Sequence, residues 1–289
     1  MESGLCFSFC LKNFIKRGVL LMKKVLTIAG SDSSGGAGIQ ADLKTFSAHG
    51  VFGMSVVTAV TAQNTQGVFG VQDISPDIIK GQIDAIFDDI QVDALKIGMV
   101  SQIETIETIA AGLKRHQAKN IVIDPVMVSK SGYHLLKPDA KDTLIKELLP
   151  LATIATPNIP EAEVITGLEI KSLKDMEKAA LKIYEMGSEN VLIKGGHRAD
   201  DAIDILFDGQ KIKHYKTQRI ETKNTHGTGC TLSASLASNL ANGLTPEIAV
   251  TESKDYITTA IKHSFSIGKG VGPTNHFYTL YKNAGMLDK

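Results

Sequence analysis

From residue 23 onward the chain repeats one pattern: a short apolar run, then a longer stretch with helical spacing. Residues 24–29, 54–62, 95–97, 121–124, 152–155 and 191–194 read as strands rich in aliphatic and β-branched residues. Between them, 39–48, 76–89, 103–116, 139–148 and 173–186 carry apolar residues at three- and four-residue intervals, the spacing of a helix with one buried face. Ser75-Pro76 predicts an N-cap followed by proline at the first helical position. Near-continuous apolar strands separated by helices are what a parallel sheet covered on both faces requires. The pattern therefore predicts an α/β fold, a doubly wound three-layer sandwich with a mostly parallel central sheet. Residues 202–207 and 211–215 flank Asp208-Gly209 and predict one hairpin at the sheet edge. Helices over 228–242 and 246–265 close the chain. No repeat, linker or compositional break follows Met22, so 23–289 reads as a single domain.

Charge and cysteine usage exclude several classes. The 31 basic and 31 acidic residues cancel, which leaves no basic field for nucleic acid or a membrane surface and points to a small-molecule partner. Three cysteines (Cys6, Cys10 and Cys230) make no disulfide framework and fit a reducing, cytoplasmic setting. The apolar run at 4–11 is too short to span a bilayer, and Lys12, Lys16 and Arg17 follow it, the reverse of a signal peptide. Residues 1–22 read as a non-native or disordered extension; a real helix packed on the domain is the alternative.

In doubly wound folds ligands bind beyond the carboxyl ends of the strands. Here those positions are 30–36, 63–65, 98–99, 124–127, 157–158 and 195–197, rich in glycine, proline and polar groups as a site rim or ordinary turns would be. Gly36-Ala-Gly38-Ile-Gln-Ala41 fits a relaxed dinucleotide fingerprint, but that mechanism needs a ribose-binding acid about 20 residues on. Between Lys44 and Gln72 there is no Asp or Glu, so NAD binding loses its anchor. No GxxxxGK[ST] loop, GxSxG elbow, HExxH helix or CxxC pair occurs.

Asn224-Thr-His-Gly-Thr-Gly-Cys-Thr231 is the most specific segment. Two glycines feed a helix of small residues, and a helix N-terminus offers unpaired N–H groups and a positive dipole end to a phosphate. Cys230 sits where a thiolate is favoured. A tight turn into a packed helix with an inert cysteine has the same spacing.

This segment resembles the anion-hole signature of the ribokinase-like superfamily, and its wording is similar to the bacterial hydroxymethylpyrimidine/phosphomethylpyrimidine kinases, with pyridoxal kinases close by. Residues 29–46, 61–68, 96–99, 124–127, 156–162, 194–197 and 270–273 agree in family order. Ser33, where the family usually has proline, and Ser31, where threonine is common, depart from it.

The resemblance implies ATP-dependent phosphorylation of 4-amino-5-hydroxymethyl-2-methylpyrimidine and of its monophosphate, with Mg²⁺, by a protein that assembles as a homo-oligomer; pyridoxal or pyridoxine phosphorylation is the alternative. It places Gln63 on the aminopyrimidine edge, Met99 and Val126 on its faces, and the Gly30 backbone and Asp42 at the hydroxymethyl end. Met99 and Val126 fit plain core positions as well, and Asp42 a solvated helix position. Gly227, Thr228, Gly229 and Cys230 are the implied catalytic turn, with Cys230 as general base where many relatives carry Asp. Lys194, Asn158, Thr225 and Gly229 are implied on the ATP phosphates, and Glu161 and Asp124 on the metal. Asn158 and Glu161 also have capping-box spacing, and Lys194 also suits a surface lysine.

Overall fold

The computed structural model describes residues 22–129, 132–196 and 202–287. Residues 1–21 of the extension, and His197, lie outside them. Strands β1 (Lys24–Asp32), β2 (Phe52–Asn64), β3 (Gly67–Asp73), β4 (Ala94–Ile97), β5 (Ile121–Ile123), β6 (Ile154–Ala155), β7 (Val191–Ile193), β8 (Ala202–Phe207) and β9 (Ile212–Thr217) form one sheet in the order β3-β2-β1-β4-β5-β6-β7-β8-β9. The pairs from β2 through β1, β4, β5 and β6 to β7 are parallel. Antiparallel strands close both edges: β3 on β2, and the β8–β9 hairpin on β7.

Side chains alternate across the pleat and sort the core into two layers. Leu26, Leu95, Ile121, Ile193 and Ile205 face one layer, with helices α2 (Pro76–Phe87), α3 (Ile103–Arg115), α4 (Ile159–Thr166) and α5 (Leu173–Glu185). Val25, Ala94, Val122, Leu192 and Leu206 face the other, with α1 (Gly38–Ala48), α6 (Thr228–Ala241) and α7 (Pro246–Lys262). A short α8 (Tyr278–Asn283) follows. The strands are therefore buried on both sides, which is why their apolar runs are continuous. Among the described residues no helix is long and apolar enough to cross a membrane.

Three local expectations change. β3 was not expected, because Gly67 and Gly70 thin its strand signal; it exists as the edge partner of the long β2. The helix expected at 139–148 is a run of short pieces ending in a π turn at Leu144–Leu148 and a 3-10 turn at Leu149–Leu151. Pro150 explains this: its ring would strike the carbonyl four residues back in a regular helix. Ser75 has N-cap geometry, yet its side chain makes no capping bond.

Phe46 on α1 is fully buried between the sheet and α6. Phe46→Ala is expected to lower unfolding stability by about 3–5 kcal/mol in denaturant titration, through the cavity it leaves.

Candidate active site

A cavity of about 1010 Å³ opens beyond the carboxyl ends of the parallel strands. Gly30, Gln63, Met99, Asp124, Val126, Asn158, Glu161, Lys194, Thr225, Gly227, Thr228, Gly229 and Cys230 all line it. Of the residues anticipated from sequence, only Asp42 does not.

The turn before α6 is built by close backbone approach. Gly227 has φ +74°, and a Cβ there would stand 1.7 Å from the Gly36 carbonyl oxygen. Asn224 Oδ1 accepts from Gly272 N–H at 3.1 Å, and His226 N–H donates to Gly272 O at 3.0 Å, which ties the turn to the Gly270-Val-Gly-Pro273 segment. Thr228 Oγ1 donates to Thr225 O at 2.8 Å. In the first turn of α6 the Gly229 and Cys230 N–H groups have no intrahelical acceptor. A Cβ on Gly229 would lie 3.4 Å from Asp124 Oδ2 and 3.5 Å from Lys194 Nζ, so this helix start faces a fixed cation.

Beside it lies an acidic corner. Lys194 Nζ donates to Asp124 Oδ1 at 2.7 Å, and Ser233 Oγ donates to Asp124 Oδ2 at 3.3 Å. Lys194 is thus a cavity-wall cation and not a surface lysine. Burial alone would lower Lys194, but the Asp124 and Glu161 charges hold it above its ordinary range. The capping box is real: Glu161 N–H donates to Asn158 Oδ1 at 2.9 Å and Asn158 N–H to Glu161 Oε2 at 2.8 Å. Burial pushes Glu161 up to about 7, with Asp124 adding and Lys194 opposing. No group of three or more His, Cys, Asp or Glu side chains among the described residues encloses a metal. Two carboxylates and an amide oxygen in one polar corner do suit a hard divalent cation that keeps most of its water.

At the other end, a Cβ on Gly30 would meet Met99 Sδ at 2.9 Å, so glycine leaves room for the methionine over the cavity floor. Val126 follows directly from the Asp124 turn, its N–H donating to Asp124 O at 2.8 Å. Ser33 Oγ donates to Gln63 O at 2.7 Å and accepts from Gln63 N–H at 2.9 Å. The residue that departs from the family pattern therefore ties the first loop to the end of β2, holding by hydrogen bonds what a proline would stiffen by its ring.

Two anticipated residues sit in surroundings that the sequence did not show. Asp42 is wholly buried on the inner face of α1, where it accepts from Lys96 Nζ at 2.8 and 3.0 Å and from Thr27 Oγ1 at 2.6 Å. It reaches the cavity only through Lys96, which does line it. Burial would lower Lys96, but Asp42, with Asp124 and Cys230 adding, more than reverses this and holds the ammonium above its ordinary range. The signal was present: a lysine inside the apolar run Leu95-Lys-Ile97 demands a buried partner. Cys230 is half-buried on the cavity wall, and its thiol lies above the ordinary range. Burial pushes the thiol up to about 11, the carboxylates of Asp42 and Asp124 push the same way, and Lys96 only partly opposes them. Also unanticipated are Asp32, which accepts from His226 Nε2 at 2.7 Å, and the buried Lys254–Asp204 pair at 2.7 Å on the far wall. Their partners are distant in sequence, so no spacing announced them.

A helix start with free N–H groups, a fixed lysine and two carboxylates facing an amide-bearing pocket defines a small-molecule phosphotransferase. The comparisons agree. The family model for phosphomethylpyrimidine kinase matches residues 32–275. A Rhizobium meliloti hydroxymethylpyrimidine/phosphomethylpyrimidine kinase is 52% identical over 89% of this chain and 98% of its own. A Clostridium difficile phosphomethylpyrimidine kinase structure is 55% identical with TM-score 0.76, over 83% of this chain and 100% of that one. A Bacillus subtilis pyridoxal kinase, solved as an ADP complex, is 44% identical with TM-score 0.84, over 90% and 99%. The chain belongs to the phosphomethylpyrimidine kinase family, and it is a kinase.

Two measurements check the electrostatics. In a Cys6→Ser, Cys10→Ser background, alkylation of Cys230 by iodoacetamide should be slow at pH 7 and rise about tenfold per pH unit to beyond pH 9; a plateau by pH 8 contradicts the raised thiol. Glu161 binds its proton more tightly folded than unfolded, so its contribution to stability is full below pH 4.5 and is lost as pH rises through about 7. Glu161→Gln should flatten the fall in stability between pH 5 and 8 by up to about 3 kcal/mol, read by urea titration at each pH.

Proposed function

We propose that the chain phosphorylates 4-amino-5-hydroxymethyl-2-methylpyrimidine and then its monophosphate, in thiamine biosynthesis, with ATP as donor. One observation carries this reading. The Gln63 side-chain amide and the phosphate-competent turn share one cavity, with Gln63 Nε2 3.4 Å from the ring of His226, the residue before Gly227. A primary amide presents a donor and an acceptor together, which suits a ring nitrogen beside an exocyclic amine. The relatives' names supply the substrate, and the amide supplies a reason for it.

In this reading the ring lies between Met99 and Val126 with its edge on Gln63. Its hydroxymethyl group lies by the Gly30 backbone and Lys96, which Asp42 holds above its ordinary range. The transferring phosphoryl group faces the N–H groups of Gly227, Thr228, Gly229 and Cys230, and Lys194, Asn158 and Thr225 border the remaining phosphates. Glu161 and Asp124 would hold Mg²⁺ through oxygen and water, and the ion would supply charge neutralisation on the phosphates. Phosphoryl transfer through a loose transition state asks for positioning and charge stabilisation more than for a strong base. Such a transfer needs no resting thiolate: Cys230 would accept the hydroxyl proton in its thiolate form, whose charge Lys96 offsets, and return as the thiol while the new oxygen–phosphorus bond forms.

The second reading, a pyridoxal kinase, is favoured by solved neighbours of that name, including a Staphylococcus aureus enzyme with pyridoxal and AMP-PCP at 38% identity and TM-score 0.81. Cys230 could add to the aldehyde of such a substrate. Steady-state rates on the pyrimidine alcohol, its phosphate and pyridoxal, each with Mg·ATP, separate the two; higher kcat/KM on pyridoxal and none on the phosphate would reverse the assignment. Cys230→Ala should reduce kcat on the pyrimidine by about 100-fold or more while nucleotide affinity persists; near-normal turnover removes Cys230 from the chemistry.

A further inference from the structure

We infer that Asp32, His226 and Thr61 are positioning residues that fix which way round the Gln63 amide faces the acceptor ring. The inference rests on the reading that this ring meets Gln63.

Asp32 is buried at the end of β1. Its Oδ1 accepts from Ser34 N–H at 2.8 Å and Ser34 Oγ at 2.7 Å. Its Oδ2 accepts from Gly36 N–H at 3.1 Å, Ala37 N–H at 2.8 Å and His226 Nε2 at 2.7 Å. An ionised carboxylate only accepts, so the proton in the last contact belongs to His226 Nε2. That nitrogen's one proton is directed at Asp32, so towards the Gln63 Nε2 position, 3.4 Å away, it has no lone pair to accept with and can only share its N–H. On the other side, the Gln63 Oε1 position stands 3.2 Å from Thr61 Oγ1. The single Thr61 hydroxyl proton goes to Ser31 O at 2.8 Å, so towards Gln63 this hydroxyl offers only a lone pair.

Gln63 thus sits between a neighbour that cannot accept and a neighbour that only accepts. With its nitrogen towards His226, N–H faces N–H and oxygen faces oxygen. Turned over, its amino group donates to Thr61, and its carbonyl takes a share of the His226 N–H that Asp32 holds. In that setting one carbonyl lone pair and one N–H remain for the cavity, on defined sides. An aromatic edge with a ring-nitrogen acceptor beside an exocyclic amine is matched in one register. The edge of the corresponding oxo compound, with ring N–H and exocyclic carbonyl, has donor and acceptor exchanged, and a locked amide rejects it. His226 directly precedes Gly227, so the group that sets substrate handedness also belongs to the phosphate turn.

The test is the ratio of kcat/KM for the 4-amino substrate to that for its 4-oxo analogue. Discrimination should fall at least about tenfold in His226→Ala, because a freed amide can turn to suit either edge. Thr61→Val, which leaves Asp32 and His226 in place, should do the same, and Thr61→Ser should restore it; this pair keeps the test sharp if His226→Ala folds poorly. In a Gln63→Met background the ratio should already be low, and His226→Ala should lower it no further. If Gln63→Met collapses the ratio while His226→Ala and Thr61→Val, both folded, stay within about twofold of wild type, the orientation device is refuted and the substrate reading survives. If Gln63→Met leaves the ratio unchanged, the ring does not meet Gln63 and both fail.

Discussion

The site depends on a backbone contact that leaves no space for a side chain. The Gly36 carbonyl occupies the place a Cβ on residue 227 would need, and a Cβ on Gly36 would run into the His226 ring at 2.3 Å. Two loops from opposite ends of the chain are thereby pressed together. One follows β1 and carries Asp32 and Ser33; the other opens α6. Glycine permits the approach, and Gly227 also supplies the left-handed turn that starts the helix. Everything that faces a phosphate or an acceptor ring is arranged around this seam.

Around the seam, charge is held in place by burial and not by screening. Lys96 with Asp42, Lys194 with Asp124, and Lys254 with Asp204 are all pairs with little or no exposure. Such pairs add little net stability, since desolvation offsets most of the attraction. They do fix ammonium groups in the cavity wall before any ligand arrives, which is what electrostatic stabilisation of a transferring phosphoryl group requires. The same burial raises the Cys230 thiol and Glu161, so one physical cause accounts for both shifts.

The layered fold was legible because each parallel strand is buried on both faces and so reads as an unbroken apolar run. The edge strand β3 was not, since an edge needs only one partner and tolerates glycine. The irregular helix before β6 was not either, because its form comes from Pro150 acting back on the preceding turn. Most anticipated site residues line the cavity because they cluster at strand ends, where this architecture puts ligands. That Asp42 reaches the cavity only through Lys96 was not legible, because neither the resemblance nor helix spacing says which residue stands opposite it.

The sequence by itself determined the alternation of parallel strands with helices, the glycine turn, the capping-box spacing of Asn158 and Glu161, and the family to which these belong. These rest on local spacing and backbone sterics, which neighbouring residues decide. Only the tertiary structure decided the raised thiol of Cys230, the burial of Asp42 under Lys96, and the junction of Asp32 with His226 beside Gln63. Each of those depends on solvent exclusion and on partners brought from far along the chain, and neither is encoded in any short stretch of residues.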